Sequence, residues 1–312
     1  MQPVTEQIFA TLELLLDGNL PFDLPGHEDG GRISPFIWDG SNSGEFNVLS
    51  LCRANGWLKL TDADATIKDW QEMKYAKYFP DFSLDSKQTK DLPYQIESLF
   101  QVLNTNLNNL KSYILNSPGS GFTLPGIILG KTKDEAWICI SPTVYTETSI
   151  PQEQISRSPL SNSVKFQPLS ETTLTILSTI QAITTEIGAI SLSGDFGGGY
   201  MYNYTYQIVY AIAATQESAI EQALQASGML EVEQFDGFLR DRKYLEEHYY
   251  EYEINEIHQK TASINQFINQ AFSKVFMYRF SFWTEENIYI IGQTCKGDWA
   301  GIYINSQFVY NP

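Results

Sequence analysis

The run Ile290-Ile291-Gly292-Gln293-Thr294-Cys295-Lys296-Gly297-Asp298-Trp299-Ala300-Gly301-Ile302-Tyr303-Ile304 reads as a β-hairpin. β-branched residues favour extended backbone on both arms, and the Cys-Lys-Gly-Asp turn between them gives Gly297 the freedom to take a positive φ. An earlier stretch repeats the pattern. Gly130, Thr132 and Trp137 have the spacing of Gly292, Thr294 and Trp299, each pair 162 residues apart, and both sets follow an isoleucine-rich run. A second echo pairs Asn55-Gly56-Trp57-Leu58-Lys59-Leu60 with Ser227-Gly228-Met229-Leu230-Glu231-Val232, at an offset of 172. A longer loop absorbs that difference at little cost, because closure entropy grows slowly with loop length. Two repeats in the same order predict an internal duplication.

The 312 residues are enough for two domains of ordinary size, each with its own core. Hydrophobic content of 43% and aromatic content of 13% exclude a disordered chain. The formal net charge is -17, divided almost evenly between the halves. A field of that sign repels phosphate backbones and anionic membranes and attracts cations or basic protein surfaces. Nucleic-acid and membrane binding are therefore not expected. Cys52, Cys139 and Cys295 are widely spaced in apolar surroundings and read as buried, reduced thiols. With a start that lacks the features of a signal peptide, they predict a cytoplasmic protein. No apolar run reaches membrane-spanning length.

Along the chain, Ile8, Leu12, Leu15 and Leu16 form a helical stripe that stops at Asp17-Gly18, and Ser170-Glu171 opens its counterpart with Leu174, Leu177 and Ile180. Prolines and glycines make residues 21–31 a loop, after which Phe36-Ile37-Trp38 enters a strand that Asp39-Gly40 ends. In the second half the shorter loop Ser193–Gly199 leads to an alternating run, Tyr202 to Tyr210, read as one strand. A helix at Gln216–Ala226 follows. Long helical stripes are expected at Ile96, Leu99, Leu103, Leu107, Leu110 and Ile114, and again from Tyr250 through Ile254, Ile257, Ile264, Ile268 and Phe272 to Phe276. Ser149 to Pro168, rich in serine and proline and without apolar period, reads as a linker. Each half then reads α-β-α-β-α-β-β. This predicts a mixed α/β, or α+β, domain over residues 1–148 and another over 169–312, with 149–168 between them.

Catalytic constellations are weak. His27, His248 and His258 have no metal-ligand spacing, and no His-Glu-x-x-His occurs. Glu246, Glu247, Glu251, Glu253 and Glu256 read as a solvated helix face. The glycines between Gly194 and Gly199 lack a following Gly-Lys-Ser/Thr and lead into a strand, so they make no phosphate loop. Ser117-Pro118-Gly119-Ser120-Gly121 has no nucleophile-elbow context. An enzyme with a metal or cofactor is not expected.

Several runs together resemble the cyanobacterial nuclease A inhibitor family, small acidic proteins that block a sugar-nonspecific nuclease. They are Ile291-Gly292-x-Thr294-x-x-Gly297-x-x-Ala300-Gly301-Ile302, Asp17-Gly18, Ser34-Pro35-Phe36-Ile37-Trp38-Asp39-Gly40-Ser41, Asp69-Trp70, and Ser141 to Thr148 with its closing Glu147-Thr148. The resemblance implies two tandem three-layer α/β/α sandwiches, and inhibition of a basic, Mg²⁺-dependent nuclease. It also implies partner contacts from an acidic residue ahead of the first strand (Glu28 or Asp29), from Trp70, and from the closing Glu147 and Thr148. In this chain Thr148 is followed by further sequence and so carries no terminal carboxylate. A duplicated scaffold that keeps the fold without inhibition is the alternative expectation.

Overall fold

The computed structural model describes residues 2–17, 32–73, 86–117, 123–143, 168–195, 201–238, 246, 249–282, 285–295 and 297–307. The chain is mixed α+β and divides into two compact units. One is built from Met1–Phe46 and Glu231–Val309, the other from Asn47–Leu230. The units do not follow the halves 1–148 and 169–312: the divisions fall at Phe46 and Leu230, and most of 149–168 lies outside the described residues.

In the first unit, α1 (Pro3–Leu15) starts with proline in its first turn, where no intrahelical N–H is lost, and buries Ile8 and Leu12. The sheet runs β1-β12-β11-β10-β9, with β1 Arg32–Trp38, β9 Leu230–Gln234, β10 Val275–Ser281, β11 Glu285–Gln293 and β12 Trp299–Gln307. The quoted hairpin is β11 and β12, with Gly297 at φ 91 in its turn. Gly301 permits the close approach of these arms, because a Cβ there would meet the Ile290 carbonyl oxygen at 2.1 Å. α1 and the long helix α8 (Glu251–Ala271) supply Ile8, Leu12, Ile264 and Ile268 to a core with Met277, Ile288, Ile290, Ile302 and Ile304. A short helix, α2 (Gly40–Ser43), follows β1 and is capped by Asp39.

The second unit holds the sheet β2-β3-β4-β5-β8, with β2 Leu58–Thr61, β3 Asn108–Asn116, β4 Thr123–Lys131, β5 Trp137–Pro142 and β8 Ile208–Ala213. Its helices are α3 (Val48–Ala54), α4 (Ala63–Gln71), α5 (Ser86–Asn106), α6 (Glu171–Ile187) and α7 (Gln216–Ala226). Adjacent residues of β3 show the layers, since neighbouring side chains on a strand point to opposite faces. Ser112 meets Thr66 of α4 on one face, and Tyr113 meets Arg53 of α3 and Gln216 of α7 on the other. Helices therefore cover both faces of this sheet. β6 (Ile190–Asp195) and β7 (Met201–Tyr206) pair in a separate two-stranded sheet.

Three expectations are corrected. The stripe through Leu107, Leu110 and Ile114 is not helix: α5 ends at Asn106 and β3 follows, with Asn109 at φ 52 beside a register shift; likewise Phe276 lies in β10. These stretches add β3 to the first half and β10 to the second. The run Tyr202–Tyr210 is two strands. It breaks at Gln207, whose backbone is held by Thr143 (2.8 and 3.1 Å) as the chain passes from β7 to β8. Finally, Cys52 and Cys139 are buried, and burial pushes their thiols up, but Cys295 in the hairpin turn is exposed.

Candidate interaction site

Of the residues expected to touch a partner, Trp70 alone is among the described residues. Glu28 and Asp29 lie outside the described residues, as do Glu147 and Thr148. The elements next to them are defined, however. β1, which follows the first pair, is the edge strand beside β12 in the first unit; β5, which precedes the second pair, lies between β4 and β8 in the second. Trp70, expected at a partner surface, is wholly buried in α4 and donates its indole N–H to the Gly126 carbonyl (3.1 Å). That burial corrects the expectation of an exposed indole, because a ring enclosed by the core has no surface to offer.

The hairpin instead supplies an anchor that the resemblance did not single out. Asp298, 3% exposed, accepts from the Thr5 hydroxyl (2.8 Å) and the Gly40 N–H (3.0 Å), tying the first turn of α1 and the start of α2 to the β11–β12 turn. In the second unit Asp134 does related work on the surface. It accepts from the Ser170 and Thr173 hydroxyls (2.6 Å each) and the Ser170 N–H (3.1 Å) at the start of α6. These hydrogen bonds, from Ser170 first and then Thr173, hold the Asp134 carboxyl below its usual range.

Replacing Asp298 with alanine leaves a buried hydroxyl and a partly buried N–H without their charged acceptor, so it should cost about 3 kcal/mol. Asp134→Ala should cost clearly less, because its site is exposed to water. A depressed carboxyl contributes stability above the unfolded-state value near ~3.9 and loses it as pH falls through the folded value. The Asp134→Ala deficit should therefore be present at neutral pH and shrink in acid. Urea unfolding of both variants at neutral and acidic pH measures this.

Two polar clusters occupy the far end of the same hairpin, on opposite faces. On the helix-covered face, in line with Ile288 and Ile290, Glu286 receives a two-pronged contact from Arg279 (Nε 2.7 Å, Nη2 3.0 Å) and the Ser281 hydroxyl (3.2 Å). Glu231 approaches the same guanidinium at 3.7 Å, and burial, opposed by Arg279, raises its carboxyl above the usual range. On the other face Glu285 accepts from Asn287 (3.2 Å) and Asn305 (2.9 Å), while the Tyr303 hydroxyl donates to Asn287 (2.5 Å). Burial and the Glu285 charge raise the Tyr303 phenol. The sequence signal for this cluster is polar residues at every second position of otherwise apolar strands, Glu285 with Asn287 and Tyr303 with Asn305.

Among the described residues no group of three or more His, Cys, Asp or Glu could hold a metal ion. No helix among them is long and apolar enough to cross a membrane. Glu251 and Glu256 of α8 are exposed, and so is Glu246 ahead of that helix; Glu253 is half-buried and accepts from the Tyr250 N–H (2.9 Å) at the helix start, and Glu247 lies outside the described residues. The exposed rings of Tyr250 and Tyr252 stack beside them, 6.0 Å apart and 7° from parallel.

This is an acidic protein whose ordered polar groups hold the fold together. Residues 201–306, about a third of the chain, match the family model of nuclease A inhibitor-like protein. The matched segment begins at β7 in the second unit and ends in β12 of the first. No curated protein matches the chain. The matched family is described by inhibition rather than by catalysis.

Proposed function

We propose that the chain is an acidic protein-interaction module of the nuclease A inhibitor type, present as two divergent tandem copies over 1–148 and 169–312. Its partner on this reading is a basic, Mg²⁺-dependent, sugar-nonspecific nuclease. The observation that carries the reading is the family match over 201–306, which includes β11, the hairpin turn and all of β12 but its last residue. The charge of -17 supports it, because carboxylates attract a cationic nuclease groove and can occupy phosphate positions there. Glu28 and Asp29, ahead of β1, and Glu147 with Thr148, after β5, supply such groups. Trp70 contributes from the core and not by contact. Thr148 offers a hydroxyl, a weaker donor for a hard cation than a carboxylate.

The test is digestion of DNA by such a nuclease, with and without the full chain, at low and moderate salt. Cleavage should slow at low salt and recover as salt screens the long-range attraction. Unchanged cleavage at both salts, with the chain folded by circular dichroism, would favour the second reading: a duplicated scaffold that keeps the fold and does not inhibit.

A further inference from the structure

The two sheets have one plan. Read from the edge, β1-β12-β11-β10-β9 corresponds strand for strand to β8-β5-β4-β3-β2. In each sheet four strands come from one half of the chain and the edge strand comes from the other half.

The registers agree residue by residue. Trp38 lies opposite Trp299 and Ser34 opposite Tyr303; Ala213 lies opposite Trp137 and Val209 opposite Ser141. Under the Gly130-to-Gly292 spacing, Trp137 corresponds to Trp299 and Ser141 to Tyr303, so β8 sits on its hairpin as β1 sits on its own. The helices follow the strands. Thr5 is the third residue of α1 and is held by Asp298 of the second-half hairpin; Thr173 is the third residue of α6 and is held by Asp134 of the first-half hairpin. The hairpin glycines match as well. A Cβ on Gly130 would meet Leu107 at 2.8 Å, and one on Gly292 would meet Phe272 at 2.5 Å, each the residue immediately after its long helix.

We infer that the two halves reciprocally exchange their first helix and the edge strand that follows it, β1 in the first half and β8 in the second. α1–β1 completes the sheet of the second half, and α6 with β8 completes the sheet of the first. Exchange of equivalent elements keeps every contact of the closed arrangement and therefore costs little. It makes each unit a composite. The surface where Arg32 and Ser34 run beside Asn305 and Tyr303, next to Asn287 and Glu285, draws on both halves. On the proposed reading, a nuclease bound there would touch both, and neither half would inhibit alone. The architectural inference rests on the duplication in that reading and not on its nuclease partner.

The test starts from the intact chain with Cys295→Ser and a protease site placed within 149–168, cleaved after folding. The two fragments should stay together as one complex through gel filtration at nanomolar concentration. Cysteine pairs then report the exchange. Ser34→Cys with Tyr303→Cys, and separately Ile33→Cys with Ile304→Cys, place thiols at opposed positions of alternate ladder type, so that one pair meets disulfide geometry. With oxidised glutathione as the oxidant, at least one of these pairs should link the two fragments covalently. Ser34→Cys with Ser141→Cys, neighbours only in the closed arrangement, should not oxidise.

Separation into two folded fragments would overturn the inference. So would a disulfide between positions 34 and 141, fragments that stay together without either expected link, or links that join two whole chains. A chain that shows the links but does not slow the nuclease retains the exchange and loses the inhibitor reading.

Discussion

Glu286→Ala is expected to lower the stability of the first unit by about 3–5 kcal/mol, the range for breaking a buried ion pair by removing one partner. Arg279 is 3% exposed, so little water is at hand to replace a lost partner. Its Nε and Nη2 both point at the Glu286 carboxylate, so alanine strands two N–H donors as well as the charge. Glu231, at 3.7 Å, is too distant to replace a two-pronged contact. Glu286→Gln keeps the shape and one acceptor and should cost less than the alanine change. Arg279→Met with Glu286→Leu, which removes both charges, should recover most of the loss, since a buried pair replaced by apolar residues is often neutral. Thermal unfolding of the four proteins orders them. An alanine variant no less stable than the double variant would mean that the pair is hydrated and not buried.

Local signals in the sequence were legible wherever one residue type serves one backbone task. The hairpin turn could be placed because Gly297 takes a positive φ, and Ser170 could be placed as a helix start because its hydroxyl accepts from the Thr173 N–H. Leu107, Leu110 and Ile114 misled because a helical stripe and a half-buried strand can share apolar residues by accident of spacing. The chain changes conformation at Asn109, where an amide side chain tolerates the left-handed region. The pairing of β1 was beyond local reading for a different reason. The Gly130 and Gly292 hairpins are alike by descent on the duplication reading, so β1 would find similar neighbours on either, and only the path of the whole chain selects β12. Glu285, Asn287 and Asn305 were visible as polar residues in apolar strands, but their hydrogen-bonded union required the β11–β12 register.

Trp70→Ala should destabilise the second unit by about 3–5 kcal/mol, the usual cost of emptying a buried aromatic site. Burial is complete, and the surroundings leave little room for collapse. α4 lies so close to the sheet that a Cβ on Gly126 would meet the Thr66 Cγ2 and the Tyr113 carbonyl oxygen at 2.9 Å, while Thr66 and Ser112 share a hydrogen bond of 2.6 Å. These contacts fix the helix, so alanine leaves a cavity instead of letting the layers close. Trp70→Phe keeps most of the apolar volume but leaves the Gly126 carbonyl without its indole donor. A loss of about 1–2 kcal/mol is expected, the cost of an unmade buried hydrogen bond. Urea unfolding followed by circular dichroism gives both values, and a partner-binding measurement on the phenylalanine variant separates the two roles of the ring. A core residue predicts lower stability with partner affinity unchanged while the protein is folded. An indole that gripped the partner would give the opposite pattern, full stability with affinity lost, and that result would return Trp70 to the interaction surface.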